Sequence, residues 1–151
     1  MGDVPDGDVD PDTGHCTGAR EGGCAEAAAA TLLWVAGTLT SENHLDFAIE
    51  NDGPGGTTMA DLASALAGIL AGSAWMIATV AAIDAPARAA RALLIEVVWP
   101  SGDGHVICII PDRDGVWVHD PAEETRIRAT WDQVAAYRVI AVIRLVPRGM
   151  A

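Results

Sequence analysis

Cys24 follows Gly22-Gly23 and precedes Ala25-Glu26-Ala27-Ala28-Ala29-Ala30-Thr31-Leu32-Leu33. A glycine pair closing an irregular stretch, then a run of helix formers, predicts a helix that begins at the thiol. The free N–H groups and the dipole at a helix N-terminus favour negative charge, so a cysteine there is biased toward thiolate. Taken alone, such a residue is equally well a small buried hydrophobe. A nucleophile needs a base, and the base needs a group that fixes its tautomer.

Four histidines are available. His15 sits in a glycine-bearing loop and His44 in the first turn of a predicted surface helix, and both read as solvated polar residues. His105 follows the turn Pro100-Ser101-Gly102-Asp103-Gly104 and opens the apolar run Val106-Ile107-Cys108-Ile109-Ile110. A polar ring at the rim of such a strand is held in place by it. His119 ends the next predicted strand, beside Asp120-Pro121. The hairpin turn expected over residues 111–115 pairs strand 105–110 with strand 116–120. The end of the second strand then lies beside the start of the first, so Asp120 can reach His105.

The elements that must position these residues follow from periodicity. Residues 24–36 are apolar nearly all round, which predicts a buried helix, with Gly37 just past its end. Ser41 caps a second helix, and Asn51-Asp52-Gly53-Pro54-Gly55-Gly56 is a loop. Thr57 or Thr58 caps a third, in which Met59, Leu62, Leu66, Ile69 and Leu70 recur at helical spacing. Strands are expected at 75–83, 93–99, 105–110, 116–120 and 139–146. A short helix is expected over 85–91, opened by Pro86, and Thr130-Trp131-Asp132-Gln133 predicts a capping box. Helices first and strands after give an α+β fold, a helical half packed on an antiparallel sheet. Residues 1–14 read as a flexible acidic leader and 15–148 as one domain. Trp75, Trp99, Trp117 and Trp131 are expected as core or groove-wall aromatics, Cys108 as a buried structural thiol and Cys16 as a loop thiol.

In order, the segments resemble the papain-like cysteine peptidases, and more closely their compact C39-like, bacteriocin-leader-peptidase branch. The residues concerned are Cys24-Ala25-Glu26-Ala27-Ala28, then Gly56-Thr57-Thr58 with Leu62 and Leu66, then Gly104-His105, then Asp120-Pro121. The resemblance implies Cys24 as nucleophile, His105 as base and acid, and Asp120 as the orienting residue. It further implies a thiol endopeptidase acting on a leader peptide, or on a peptidoglycan stem peptide in the manner of a phage lysin. One position departs from the pattern. The family places an oxyanion-hole Gln five or six residues before the cysteine, whereas this chain has Gly18 and Ala19 there, and its sole Gln is Gln133. The backbone N–H of Cys24, with Thr17 or Arg20, would have to serve. The alternatives are a catalytically altered module that only binds peptide, or a transglutaminase-like acyltransferase.

Composition narrows the partners. The net charge is −12, with nine Arg and no Lys, which disfavours nucleic acid and anionic membrane. Three cysteines leave at least one thiol free and fit no zinc spacing, so no metal or cofactor is expected. No signal peptide is evident and the apolar runs are too short to span a membrane. Synthesis in the cytoplasm is expected, with holin-dependent release if the chain is a lysin.

Overall fold

In the computed structural model, the described residues are 9–18, 24–38, 40–41, 45, 58–98, 100–102 and 104–149. Helix α1 (Cys24–Val35) and helix α2 (Met59–Leu70) precede the strands β1 (Trp75–Val80), β2 (Ala92–Val98), β3 (Gly104–Asp112), β4 (Gly115–His119), β5 (Ile127–Ala129) and β6 (Val139–Pro147). Two short helices, α3 (Ala85–Arg88) and α4 (Trp131–Ala135), lie between strands. The six strands form one sheet in the order β1-β6-β2-β3-β4-β5, with antiparallel pairing throughout. The molecule is α+β, as expected.

The sheet is covered on both faces. Side chains alternate along a strand, and the alternation separates two cores. Ala92 and Leu94 of β2, Val106 and Cys108 of β3, and Ile143 and Leu145 of β6 pack under α1 and α2. Leu93, Ile95, Val97, Ile107, Ile109, Val142 and Val146 point the other way, toward Ala87 of α3 and Val134 of α4. Helix α1 lies across β3 and β2, and its four consecutive alanines 27–30 are fully buried. Short side chains there let the helix backbone approach the strands closely.

Local chemistry sets the element ends. Gly37 follows α1 with φ of 89°, a conformation that costs glycine little. The Thr58 hydroxyl accepts from the N–H of Asp61 at 3.1 Å. Thr130 and Gln133 form the expected capping box at α4. The hairpin between β3 and β4 is tighter than expected, because β3 runs on to Asp112, paired with Gly115.

Several expectations change. Residues 9–14 are not part of a free leader: Val9 is buried, bridges to Cys16, and joins the core under α1. The link is the turn at Gly14, where φ is 77° and a β-carbon would overlap the Trp34 ring. Cys16 is likewise a core residue rather than a loop thiol. Trp75 is half-buried against the helical-face core. Trp117 and Trp131 are half-buried too, and each lies beneath a guanidinium, Arg126 at 3.8 Å and Arg88 at 5.2 Å from the ring centroids. Trp99, His44 and the loop 51–56 lie outside the described residues, as does most of the helix expected from Ser41. Leu45 of that helix is described and fully buried.

Candidate active site

Cys24 is the first residue of α1, and His105 the second of β3. Because α1 rests on β3, the helix start and the strand start meet. Pairing of β3 with β4 begins at Cys108 and His119, so Asp120 leaves β4 where β3 has yet to enter the pairing. Its carboxylate Oδ1 lies 2.5 Å from His105 Nε2. That bond uses Nε2, and Nδ1 is the ring nitrogen left for Cys24, with which the ring also hydrogen-bonds. The structure therefore brings Cys24, His105 and Asp120 together, with the imidazole between the thiol and the carboxylate.

The three groups bias one another. Burial pushes the Cys24 thiol up, but the His105 hydrogen bond, a backbone hydrogen bond from Val106 and the His105 charge outweigh it, and the thiol lies below its usual range. The Val106 N–H serves the sulfur at a point where β3 has run past its partner β4. The Asp120 hydrogen bond, and after it the Cys24 hydrogen bond, raise His105 to about 9 despite the opposing effect of burial. Burial also pushes the Asp120 carboxyl up, yet its bonds to His105 and to the Ala122 N–H hold it below the carboxylate range. Both partners are shielded but reachable, with side chains 11% and 17% exposed. Both shifts are toward the thiolate–imidazolium pair that a thiol nucleophile uses.

The other thiols are unlike Cys24. Cys108 is fully buried mid-strand, and burial alone pushes it far above the ordinary thiol range. None of the three cysteines is in a disulfide. Thr17 is half-buried on the segment leading toward Cys24, whereas Arg20 lies outside the described residues. The amide N–H of Gly18 donates to the carbonyl of Pro121 at 3.3 Å, tying that segment to the Asp120 turn.

One histidine differs from its sequence reading. His15, expected to be solvated, is buried at 5% exposure and paired with buried His119. The pattern Gly-His-Cys in a polar stretch gives no sign of burial. The one available signal was Val9, an apolar residue that can pair back onto the segment of Cys16.

Among the described residues, no group of three or more His, Cys, Asp or Glu is placed to hold a metal ion, and no helix is long and apolar enough to cross a membrane. No protein-family model matches the chain, and no curated protein matches it in sequence. Solved structures do match. The peptidase domain of Streptococcus ComA, a bi-functional ABC transporter involved in a quorum-sensing pathway, superposes with a TM-score of 0.70 at 14% identity, over 87% of this chain and 96% of that one. A double-glycine-motif protease from an AMS/PCAT transporter, solved with its leader peptide, gives 0.65 at 9% identity, over 88% and 90%. A protein from Bacillus anthracis assigned as a C39-like peptidase gives 0.62 at 14% identity, over 93% and 98%. At these identities the likeness is one of fold, and the fold is that of the C39 peptidase domains.

Proposed function

We propose that the chain is a cysteine endopeptidase of the leader-peptide type. The observation that carries the reading is the relay from Cys24 through His105 to Asp120, built on a fold shared with C39 peptidase domains. The Cys24 thiolate attacks the scissile carbonyl carbon to form a tetrahedral adduct. His105, protonated at Nδ1, gives that proton to the leaving amine as the C–N bond breaks. Water, deprotonated by the same nitrogen, then hydrolyses the thioester and restores the thiol. Asp120 keeps the proton of Nε2 in place and stabilises the imidazolium. The Cys24 backbone N–H is one oxyanion donor, with Thr17 or Arg20 as the second. A missing donor typically costs on the order of a hundredfold or more in rate, so turnover is expected to be modest.

Two of the similar structures described above are of transporter peptidases, one named for a double-glycine motif and bound to a leader peptide, and this favours a leader peptide as substrate. The peptidoglycan and phage-lysin expectations draw no support from these neighbours. The test is digestion of two synthetic peptides, a leader ending in Gly-Gly before a short cargo and the same sequence with the glycines replaced by valine. Cleavage after Gly-Gly alone, lost in Cys24→Ala, is the expected result. If Cys24 alkylates rapidly at pH 6 and neither peptide is cut, a different substrate follows. Should Cys24 react no faster than Cys16 or Cys108, the peptidase reading fails.

A further inference from the structure

A second histidine cluster stands beside the first, and the chemistry above makes no use of it. His15 Nε2 lies 2.7 Å from the carbonyl oxygen of Glu123, and His15 Nδ1 lies 3.2 Å from His119 Nδ1. A carbonyl oxygen only accepts, so His15 Nε2 carries a hydrogen and donates it. With His15 neutral, its Nδ1 is a bare acceptor and His119 brings the Nδ1 hydrogen. His119 Nε2 is then a buried acceptor without a partner, a cost that only a gain elsewhere would offset.

The gain lies in the turn between them. Asp120 has left the sheet, so no strand partner aims its carboxylate. Within the turn, the Ala122 N–H donates to Asp120 Oδ1 at 2.9 Å and the Glu123 N–H to the Asp120 carbonyl at 2.9 Å. From outside, residues 119, 121 and 123 are each held by the segment 15–18: His119 by His15, Pro121 by the Gly18 N–H, and Glu123 by His15. His15 is itself fixed by bonds from the Asp10 N–H to its carbonyl at 2.8 Å and from its own N–H to Thr13 Oγ1 at 3.2 Å.

We infer that His15 is a positioning residue: by gripping His119 and Glu123 on either side of Asp120, it fixes the carboxylate against His105. The inference rests on the peptidase reading of Cys24, His105 and Asp120. Loosening the turn weakens the Asp120–His105 bond, lowers the basicity of His105 and lets the Cys24 thiol rise toward its ordinary range.

The test compares full-chain His15→Gln, His15→Asn and His15→Leu with the parent. Readouts are the pH profile of Cys24 alkylation by iodoacetamide, resolved by peptide mapping, and thermal unfolding. The Gln amide nitrogen stands where Nε2 stood and still donates to Glu123, whereas Asn is too short to reach. Asn and Leu are expected to move the acid limb of Cys24 alkylation upward by about one unit, a roughly tenfold slower reaction at pH 6. Gln should stay close to the parent. An unmoved acid limb in Asn and Leu overturns the inference, as does an equal shift in Gln and Asn, which would reduce His15 to a packing residue. If Leu does not fold, the Gln–Asn contrast decides; if none of the three folds, His15 is a folding residue and the inference is overturned. A parent whose Cys24 has no excess reactivity at pH 6 removes the peptidase reading itself, which distinguishes the two failures.

Discussion

His119 and Asp120 are adjacent in sequence and belong to two histidine clusters with opposite electrostatics. His105 meets a carboxylate and a thiol, which raise it to about 9 against the pull of burial. His119 is 1% exposed, and burial above all, then the repulsion that an imidazolium there would meet from its neighbours, lowers it to about 3. Burial acts in the same direction on both rings, because it disfavours the imidazolium. What separates them is the partner: an anion reverses the effect, and a second imidazole does not. The first cluster is suited to moving a proton near neutral pH. The second is suited to staying neutral, holding a turn by directional bonds. Strand alternation makes the division possible, since consecutive residues leaving β4 face opposite ways, His119 toward His15 and Asp120 toward His105.

Breaking the charged cluster should give the largest effects. Cys24→Ala removes the nucleophile and is expected to lower cleavage of the Gly-Gly leader peptide to background, roughly a thousandfold or more; residual cleavage well above background would place the nucleophile elsewhere. Asp120→Asn comes next, with about a hundredfold or greater loss in kcat/KM. It also has a signature in pH. With Asp120 intact, His105 stays protonated until the pH passes about 9, and activity should fall above that. The Asn variant loses the leading cause of the upward shift, so its alkaline limb should move down toward the ordinary imidazole range. An alkaline limb that does not move would mean that Asp120 does not set the basicity of His105.

Much of the charged cluster was legible because its parts are local. The glycine pair before Cys24 marks a helix start, Gly104 before His105 marks a strand start, and the hairpin fixes how far along β4 a residue must lie to meet His105. Such arguments need only sequence neighbours and strand alternation. The buried cluster was not legible, because its parts come from distant segments and carry polar side chains. His15 is buried against His119 and the Glu123 carbonyl, on a segment that Val9 ties back to the core under α1, and one apolar residue, Val9, is too little pattern to announce that. The sheet order was hidden for a similar reason. β6 inserts between β1 and β2, a non-local choice that no turn specifies. β5, at three residues with Ile127 exposed, has neither the length nor the alternation to read as a strand.

The smallest expected effect tests the buried cluster through stability. His119 titrates near 3 in the folded chain and near 6.5 when unfolded. Above pH 6.5 both states hold it neutral and stability is unaffected. As the pH falls from 6.5 toward 3, only the unfolded chain gains the proton, so the fold is weakened by up to about 1.4 kcal/mol per unit. The charged cluster does not mimic this. Above pH 6.5, the raised His105 gains stability as pH falls and the lowered Cys24 loses it, so the two act in opposite directions, and both are shared by the parent and the variant. His119→Phe removes the titration along with the unpartnered Nε2. Denaturant unfolding at pH 7.5, 6 and 4.5 should show the variant losing less stability on acidification than the parent, by about 1–2 kcal/mol at pH 4.5 once incomplete burial is allowed for. Parallel pH dependence in the two chains would mean that His119 takes up its proton in the folded state as readily as in the unfolded one, and the contrast between the clusters would then fall.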